Sequence, residues 1–271
     1  MPKIVPVYSL SSNNIPFVKW GFGPKTMLIF SGGPGNFLPK GLGFRAMTSE
    51  FDPFVRTHTL YMIGRKRDLK DGATTRGLSD DFAEMVKNDL GGQADTVIGT
   101  SFGGMIAQHL AADHADRFRH IVIAIASHKM SDLGKKIDLD FAHLIARGKY
   151  RKAALRVTDA VSDKGIARFF TKALFWLFGS SMMKGDYPGY SRDIVIEAEA
   201  ETSHNADEAL ARIAVPVLII GGTNDVYFPL ETYREMHAKI KNSVLKIYEG
   251  KNHMSTMSDK RFASDVREFI G

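Results

Sequence analysis

Thr96-Val97-Ile98-Gly99-Thr100-Ser101-Phe102-Gly103-Gly104 is the stretch on which the reading of the fold turns. An apolar run ends in a glycine-flanked serine, and the small residues Gly103, Gly104, Ala107 and Ala111 follow at helical spacing. Strand, tight turn and helix in that order put a serine on a sharp bend, the arrangement of a nucleophile elbow. The flanking glycines have a steric reason. So sharp a turn presses the backbone against the neighbouring strand and helix and leaves no room for side chains at Gly99 and Gly103. Gly-x-Ser-x-Gly is also an ordinary glycine-rich turn, and the pattern alone does not separate the two readings.

Outward from this turn, the apolar run at 26–30 has the continuous character of a strand buried on both faces, those at 59–63 and 120–126 read as further buried strands, and 215–220 and 243–248 read as the last two strands of the sheet. Residues 3–9 and 15–20 flank the turn cluster Ser11-Ser12-Asn13-Asn14 and predict an antiparallel hairpin. Helical periods lie between the strands. One follows a cap at Ser79 or Asp80 and carries Phe82, Met85 and Leu90, another follows Pro229, and a last one bears Phe262, Val266 and Ile270. The alternation predicts an α/β fold, a mostly parallel β-sheet flanked by helices. It stops after residue 126. From there to 206 only helical periods appear, so the expected organisation is a core in two parts, 1–126 and 207–271, with an inserted helical cap at 127–206.

Composition narrows the function classes. The chain of 271 residues is 44% hydrophobic, enough for one large core. It has no cysteine, which excludes disulfides, thiolate nucleophiles and Cys-ligated metals. The net charge of +6 comes from lysines and arginines interleaved with acids, so it reads as a solvated surface rather than a nucleic-acid site. That surface is expected to include the basic loop Gly64-Arg65-Lys66-Arg67-Asp68-Leu69-Lys70-Asp71-Gly72. No run has signal-peptide or membrane-spanning character, and the expectation is a cytoplasmic protein without stable membrane insertion.

Four features carry a resemblance. Ser31-Gly32-Gly33-Pro34-Gly35 follows a buried strand; the elbow follows another; residues 215–220 empty into Gly221-Gly222-Thr223-Asn224-Asp225; and 243–248 precedes Gly250-Lys251-Asn252-His253. In this order and spacing the chain resembles the α/β-hydrolase fold family, specifically its capped lipase, esterase and prolyl-aminopeptidase-like branch. The resemblance implies a catalytic set in the order Ser101, Asp225, His253, each past the carboxyl end of a strand. It also implies an oxyanion hole made by the backbone N–H groups of Gly33 and Phe102. Asp225 beside Asn224 is equally a natural turn residue. His128 is a candidate for the rim of the site, and a surface histidine is its plainer reading. The chain departs from the family at Ser31, where His is common, and at Gly64-Arg65-Lys66-Arg67, where Asp-x-Arg-Gly is usual.

What the resemblance implies is a serine hydrolase acting on a small or medium carboxylic ester through an acyl-enzyme, with neither metal nor cofactor. The cap holds an aromatic cluster from which Phe175, Trp176 and Phe178 are expected to line an apolar pocket. Two alternatives stay open. A prolyl-type aminopeptidase would need acidic cap residues for a substrate ammonium, and Glu197, Glu199 and Glu201 alternate with apolar residues as on a solvated helix face. A ligand-binding protein on the same fold could keep the three residues and turn over poorly.

Overall fold

The computed structural model describes residues 4–36, 38–161 and 183–271. Eight strands form one sheet: β1 (Val7–Leu10), β2 (Pro16–Gly21), β3 (Lys25–Phe30), β4 (His58–Ile63), β5 (Ala94–Thr100), β6 (Phe118–Ala124), β7 (Val217–Gly222) and β8 (Ser243–Tyr248). Their order is β1-β2-β4-β3-β5-β6-β7-β8. The first three run antiparallel, with Val7 opposite Lys19 and Phe17 opposite Ile63. Every other pairing, from β4 through β8, is parallel. The mostly parallel sheet flanked by helices is therefore the fold this chain adopts.

Its central strands are apolar on both faces because helices cover both. Successive side chains of a strand point to opposite sides. Leu28 and Phe30 join the core under α2 (Thr75–Asp89), α3 (Phe102–Asp113) and α8 (Leu230–Lys239), with Phe82, Ile106 and Met236. Met27 and Ile29 join the opposite core with Phe44 of α1 (Leu42–Thr48) and Phe262 and Val266 of α10 (Arg261–Ile270). β1, at the sheet edge, is exposed along its whole length. α2 starts earlier than Ser79 or Asp80. The Thr74 side chain accepts from the Gly77 N–H and caps it there, since a threonine oxygen can also serve a free first-turn amide.

Between β6 and β7 lie α4 (Asp132–Ala146), α5 (Tyr150–Val161), α6 (Tyr190–Thr202) and the short α7 (Asp207–Leu210), with no strand among the described residues. This helical insert has a core of its own, in which Phe141, Ala142 and Ile145 of α4 meet Ala153 of α5 and Ile194 and Ala198 of α6. No described helix is long and apolar enough to cross a membrane. No group of three or more acids or histidines among the described residues is placed to hold a metal ion.

The turn from β5 into α3 is built by close approach. A Cβ on Gly103 would stand 2.2 Å from the Phe30 carbonyl oxygen, and one on Gly99 would stand 2.5 Å from the Gly103 carbonyl oxygen. Ser101 between them has φ 51° and ψ −120°, a conformation that residues with a side chain rarely adopt. Because the obstruction at residue 103 is backbone and cannot rotate away, Gly103→Ala is expected to destabilise the protein by at least about 2 kcal/mol. A urea-unfolding midpoint unchanged from wild type would show that α3 does not rest on β3 in this way.

Candidate active site

The loops leaving β5, β7 and β8 converge at the carboxyl edge of the sheet, where ligands bind in open α/β folds. Ser101 is held in its turn by three backbone bonds. Its N–H donates to Ala124 O (3.0 Å), and its carbonyl accepts from Gly104 N (2.8 Å) and Met105 N (3.1 Å). Asp225 follows β7. Its Oδ1 accepts from the Tyr227 and Phe228 N–H groups (2.9 and 3.2 Å), which closes the turn, and its Oδ2 is left to face His253. Turn residue and site residue are thus one residue with two oxygens.

His253 opens a helix that the sequence pattern does not announce, α9 (His253–Met257). Asn252 accepts from Ser255 N (2.8 Å) while Ser255 Oγ accepts from Asn252 N (2.9 Å), a reciprocal cap that fixes the first turn and the imidazole on it. Tyr227 and Phe228 lie over the ring, with centroids 4.6 and 5.9 Å away. His253 Nδ1 stands 2.9 Å from Asp225 Oδ2, and Nε2 stands 3.0 Å from Ser101 Oγ. An ionised carboxylate only accepts, so the proton belongs on Nδ1 and Nε2 is free to accept from the serine. Serine, histidine and aspartate are all buried.

Asp225 has a further partner, Tyr233 of α8, whose hydroxyl donates to Oδ2 at 3.0 Å. Burial, and then the Asp225 charge, push the Tyr233 hydroxyl well above its ordinary value and keep it a donor. In the sequence Tyr233 reads only as part of an apolar helix face. Its place eight residues after the acid was the available signal.

The loop after β3 lies against the serine. A Cβ on Gly32 would be 2.7 Å from Ser101 Cβ, and Gly33 has φ +71°, a conformation natural to glycine. The N–H groups of Gly33 and Phe102 donate to no acceptor among the described residues.

Three readings of the sequence are corrected here. Arg65 is not on an exposed loop: it is 1% exposed and pairs with Glu197, Nε to Oε1 at 2.8 Å. Burial works against the Arg65 charge, and the Glu197 carboxylate more than offsets it. Glu197 and Glu201 do not face solvent either, since both are buried on the side of α6 that also carries Ile194 and Ala198. The alternation with apolar residues is misleading because Glu197 and Glu201 are one helical turn apart and share that inner side, while Glu199 lies off it. His128 is fully buried beside Ser127, with the Asp207 and Glu235 carboxylates 3.3 and 3.2 Å from its Nε2. Phe175, Trp176 and Phe178 lie outside the described residues.

Two acids crowd the site from the insert. Burial pushes Asp138 of α4 up to about 7, against the pull of His253 and the Tyr227 hydroxyl. Glu201 of α6 is pushed well above the ordinary carboxylate range, first by burial and then by Asp138, and neither of its oxygens has a hydrogen-bond partner among the described residues. A carboxyl whose folded value is raised favours folding while protonated, and that advantage disappears as pH rises through the folded value. Relative to Asp138→Asn, the wild type should therefore lose thermal stability as pH rises from about 4, the ordinary aspartate value, to about 7, the folded value, and level off above that. A difference in melting temperature that stays flat over that range would contradict a buried, proton-holding Asp138.

A sequence model of the alpha/beta hydrolase fold family matches residues 64–260. The pimeloyl-[acyl-carrier protein] methyl ester esterase of Neisseria meningitidis serogroup B is 27% identical over 183 residues, 64% of this chain and 68% of that one. The enol-lactonase of Burkholderia xenovorans superposes with a TM-score of 0.77 at 16% identity, covering 97% of this chain and 99% of its own. A thermophilic esterase from Thermogutta terrifontis gives 0.71 at 15% identity, covering 99% of this chain and 98% of its own. At such identities the structural likeness speaks for the fold alone. With the family match spanning most of the chain and the eight-stranded sheet in place, the protein belongs to the alpha/beta hydrolase fold family.

Proposed function

We propose that this protein is a serine esterase that cleaves small to medium carboxylic esters through an acyl-enzyme. The observation that carries the reading is the unbroken chain of hydrogen bonds from Asp225 through His253 to Ser101, with both outer distances at or below 3.0 Å. A serine hydroxyl is a weak nucleophile until a base takes its proton, and His253 Nε2 is within reach to do so. As Oγ attacks the ester carbonyl, the imidazole becomes charged and Asp225 stabilises it. The carbonyl oxygen turns anionic against the N–H groups of Gly33 and Phe102, which donate to no acceptor among the described residues. Collapse of the intermediate expels the alcohol, which takes the proton from His253. Water then repeats the sequence on the acyl-enzyme, and the acid leaves with Ser101 restored. The N. meningitidis relative, named as a methyl ester esterase, supports ester chemistry. The test is hydrolysis of p-nitrophenyl acetate and butyrate together with labelling by a fluorophosphonate. Ser101→Ala should abolish labelling and lower kcat by about ten-thousandfold or more. Wild-type protein inert to both reagents would refute the proposal.

A second reading is favoured by one observation. The buried Glu201, with both oxygens unpartnered among the described residues, lies beside the buried Asp138 and offers the acidic group that an aminopeptidase of the prolyl type needs for a substrate ammonium. On that reading a proline p-nitroanilide is cleaved in preference to p-nitrophenyl esters, and Glu201→Gln raises KM for the anilide with little effect on the esters. Preference for esters over the anilide leaves the esterase reading in place.

A further inference from the structure

On the reading that the Gly33 and Phe102 N–H groups receive the oxyanion, we propose that Arg65 is the positioning residue for both, and that Glu197 makes the insert helix α6 part of the same clamp. The family's usual histidine at the head of this loop is replaced by Ser31, and the usual acid-led run after β4 is replaced by Gly64-Arg65-Lys66-Arg67. One buried guanidinium takes over. Its Nη1 donates to the Ser31 carbonyl (3.3 Å), and its Nη2 donates to the carbonyls of Gly33 (3.1 Å) and Gly35 (2.8 Å). Nε donates to Glu197 Oε1 (2.8 Å) and Nη2 to Glu197 Oε2 (3.2 Å), and Oε2 also accepts from the Gly35 N–H. Asn36 holds the Arg65 backbone from both sides, accepting from its N–H (2.9 Å) and donating to its carbonyl.

The consequence is directional. The carbonyls of Ser31 and Gly33 belong to the peptides on either side of the Gly32–Gly33 peptide, whose N–H is the proposed donor. With both neighbours tied to one rigid plane, that N–H cannot rotate without breaking the clamp. The second donor is touched as well, because the guanidinium carbon sits 5.1 Å from the centre of the Phe102 ring. Lysine offers a point charge and three mobile donors, so it cannot hold three carbonyls in a fan. Burial of an ion pair is in general weak evidence for stability, since packed apolar residues often replace one at no loss. What such residues would not replace is the fixed direction of the carbonyls. Asp193, one turn before Glu197, accepts from the Asp68 and Leu69 N–H groups (2.7 and 3.0 Å) and bolts α6 to the same loop. Movement of α6 therefore reaches the oxyanion loop directly.

The test compares Arg65→Lys, Glu197→Gln and the double variant Arg65→Met/Glu197→Met. Turnover of p-nitrophenyl butyrate is normalised to sites titrated with a fluorophosphonate. An alkylboronic acid, whose tetrahedral serine adduct places an oxygen where the oxyanion forms, reports the hole itself. In the double variant kcat should fall about 30- to 300-fold with KM changed by less than about threefold, and boronic acid binding should weaken by a similar factor. The acid limb of the pH profile should not move, because His253 is untouched. Arg65→Lys should recover only part of the loss. Near wild-type kcat per titrated site in the double variant overturns the proposal, as does lost turnover without weaker boronic acid binding or with a shifted acid limb. Should the double variant not fold, Arg65→Lys decides, and less than a threefold effect on kcat overturns the proposal. Wild-type protein that takes up no fluorophosphonate and cleaves no ester fails earlier and separately, by refuting the reading of Ser101 on which this rests.

Discussion

A serine held at φ 51° between β5 and α3 is the constraint on which the site depends. A non-glycine residue in such a conformation costs about 1 to 3 kcal/mol, and it persists only where the surroundings leave it no alternative. Here α3 is pressed so close to β3 and β5 that glycine alone fits at 99 and 103, and three backbone bonds pin Ser101 itself. The strain lifts the hydroxyl off the sheet edge toward the His253 imidazole. Everything else at the site is arranged by reference to that fixed oxygen: a capped helix sets the imidazole, and a closed turn with a buried tyrosine sets the aspartate.

The second organising fact is how much charge the fold removes from water around this point. Arg65 and Glu197 are buried together and satisfy each other and the loop carbonyls. Asp138, whose burial is only partly offset by His253 and the Tyr227 hydroxyl, and Glu201, whose oxygens have no hydrogen-bond partner among the described residues, hold protons more tightly than free carboxyls do. Isolated buried carboxylates are expensive, so acids pushed upward in this way concentrate where a protein binds or transforms something. The insert helices that carry them are therefore walls of the site as much as its cover. α6 supplies Glu197 to the loop after β3 and Glu201 to the interior, and α4 supplies Asp138 beside His253.

Much of the architecture was legible because burial on both faces leaves a mark in composition. The runs at 26–30 and 59–63 are apolar without alternation and fall in β3 and β4, and that at 120–126 fills β6 as far as Ala124, beneath helices on either side. Ser101, Asp225 and His253 were legible as residue types in chain order, and the structure brings the three within hydrogen-bonding distance. The residues around them were not legible. Tyr233 looks like one more apolar contact on a helix, and Arg65 sits in a run of basic residues that has every appearance of a solvated loop. Glu197 and Glu201 alternate with alanine and isoleucine, a pattern whose meaning depends on which side of the helix meets another element.

The sequence by itself determined the alternation of strands and helices, the elbow and the identity of the groups able to do chemistry. Each of these rests on local rules: side-chain period, the steric tolerance of glycine, and the nucleophilicity of a hydroxyl beside a base. Only the tertiary structure decided which charges lie in water and which do not. A guanidinium and a carboxylate separated by more than a hundred residues become a clamp only when α6 and the loop after β4 are packed against one another. Burial is a property of the assembled surface rather than of any segment, and it determines whether an acid is a solvated ornament, an ion-pair partner or a proton holder beside the serine.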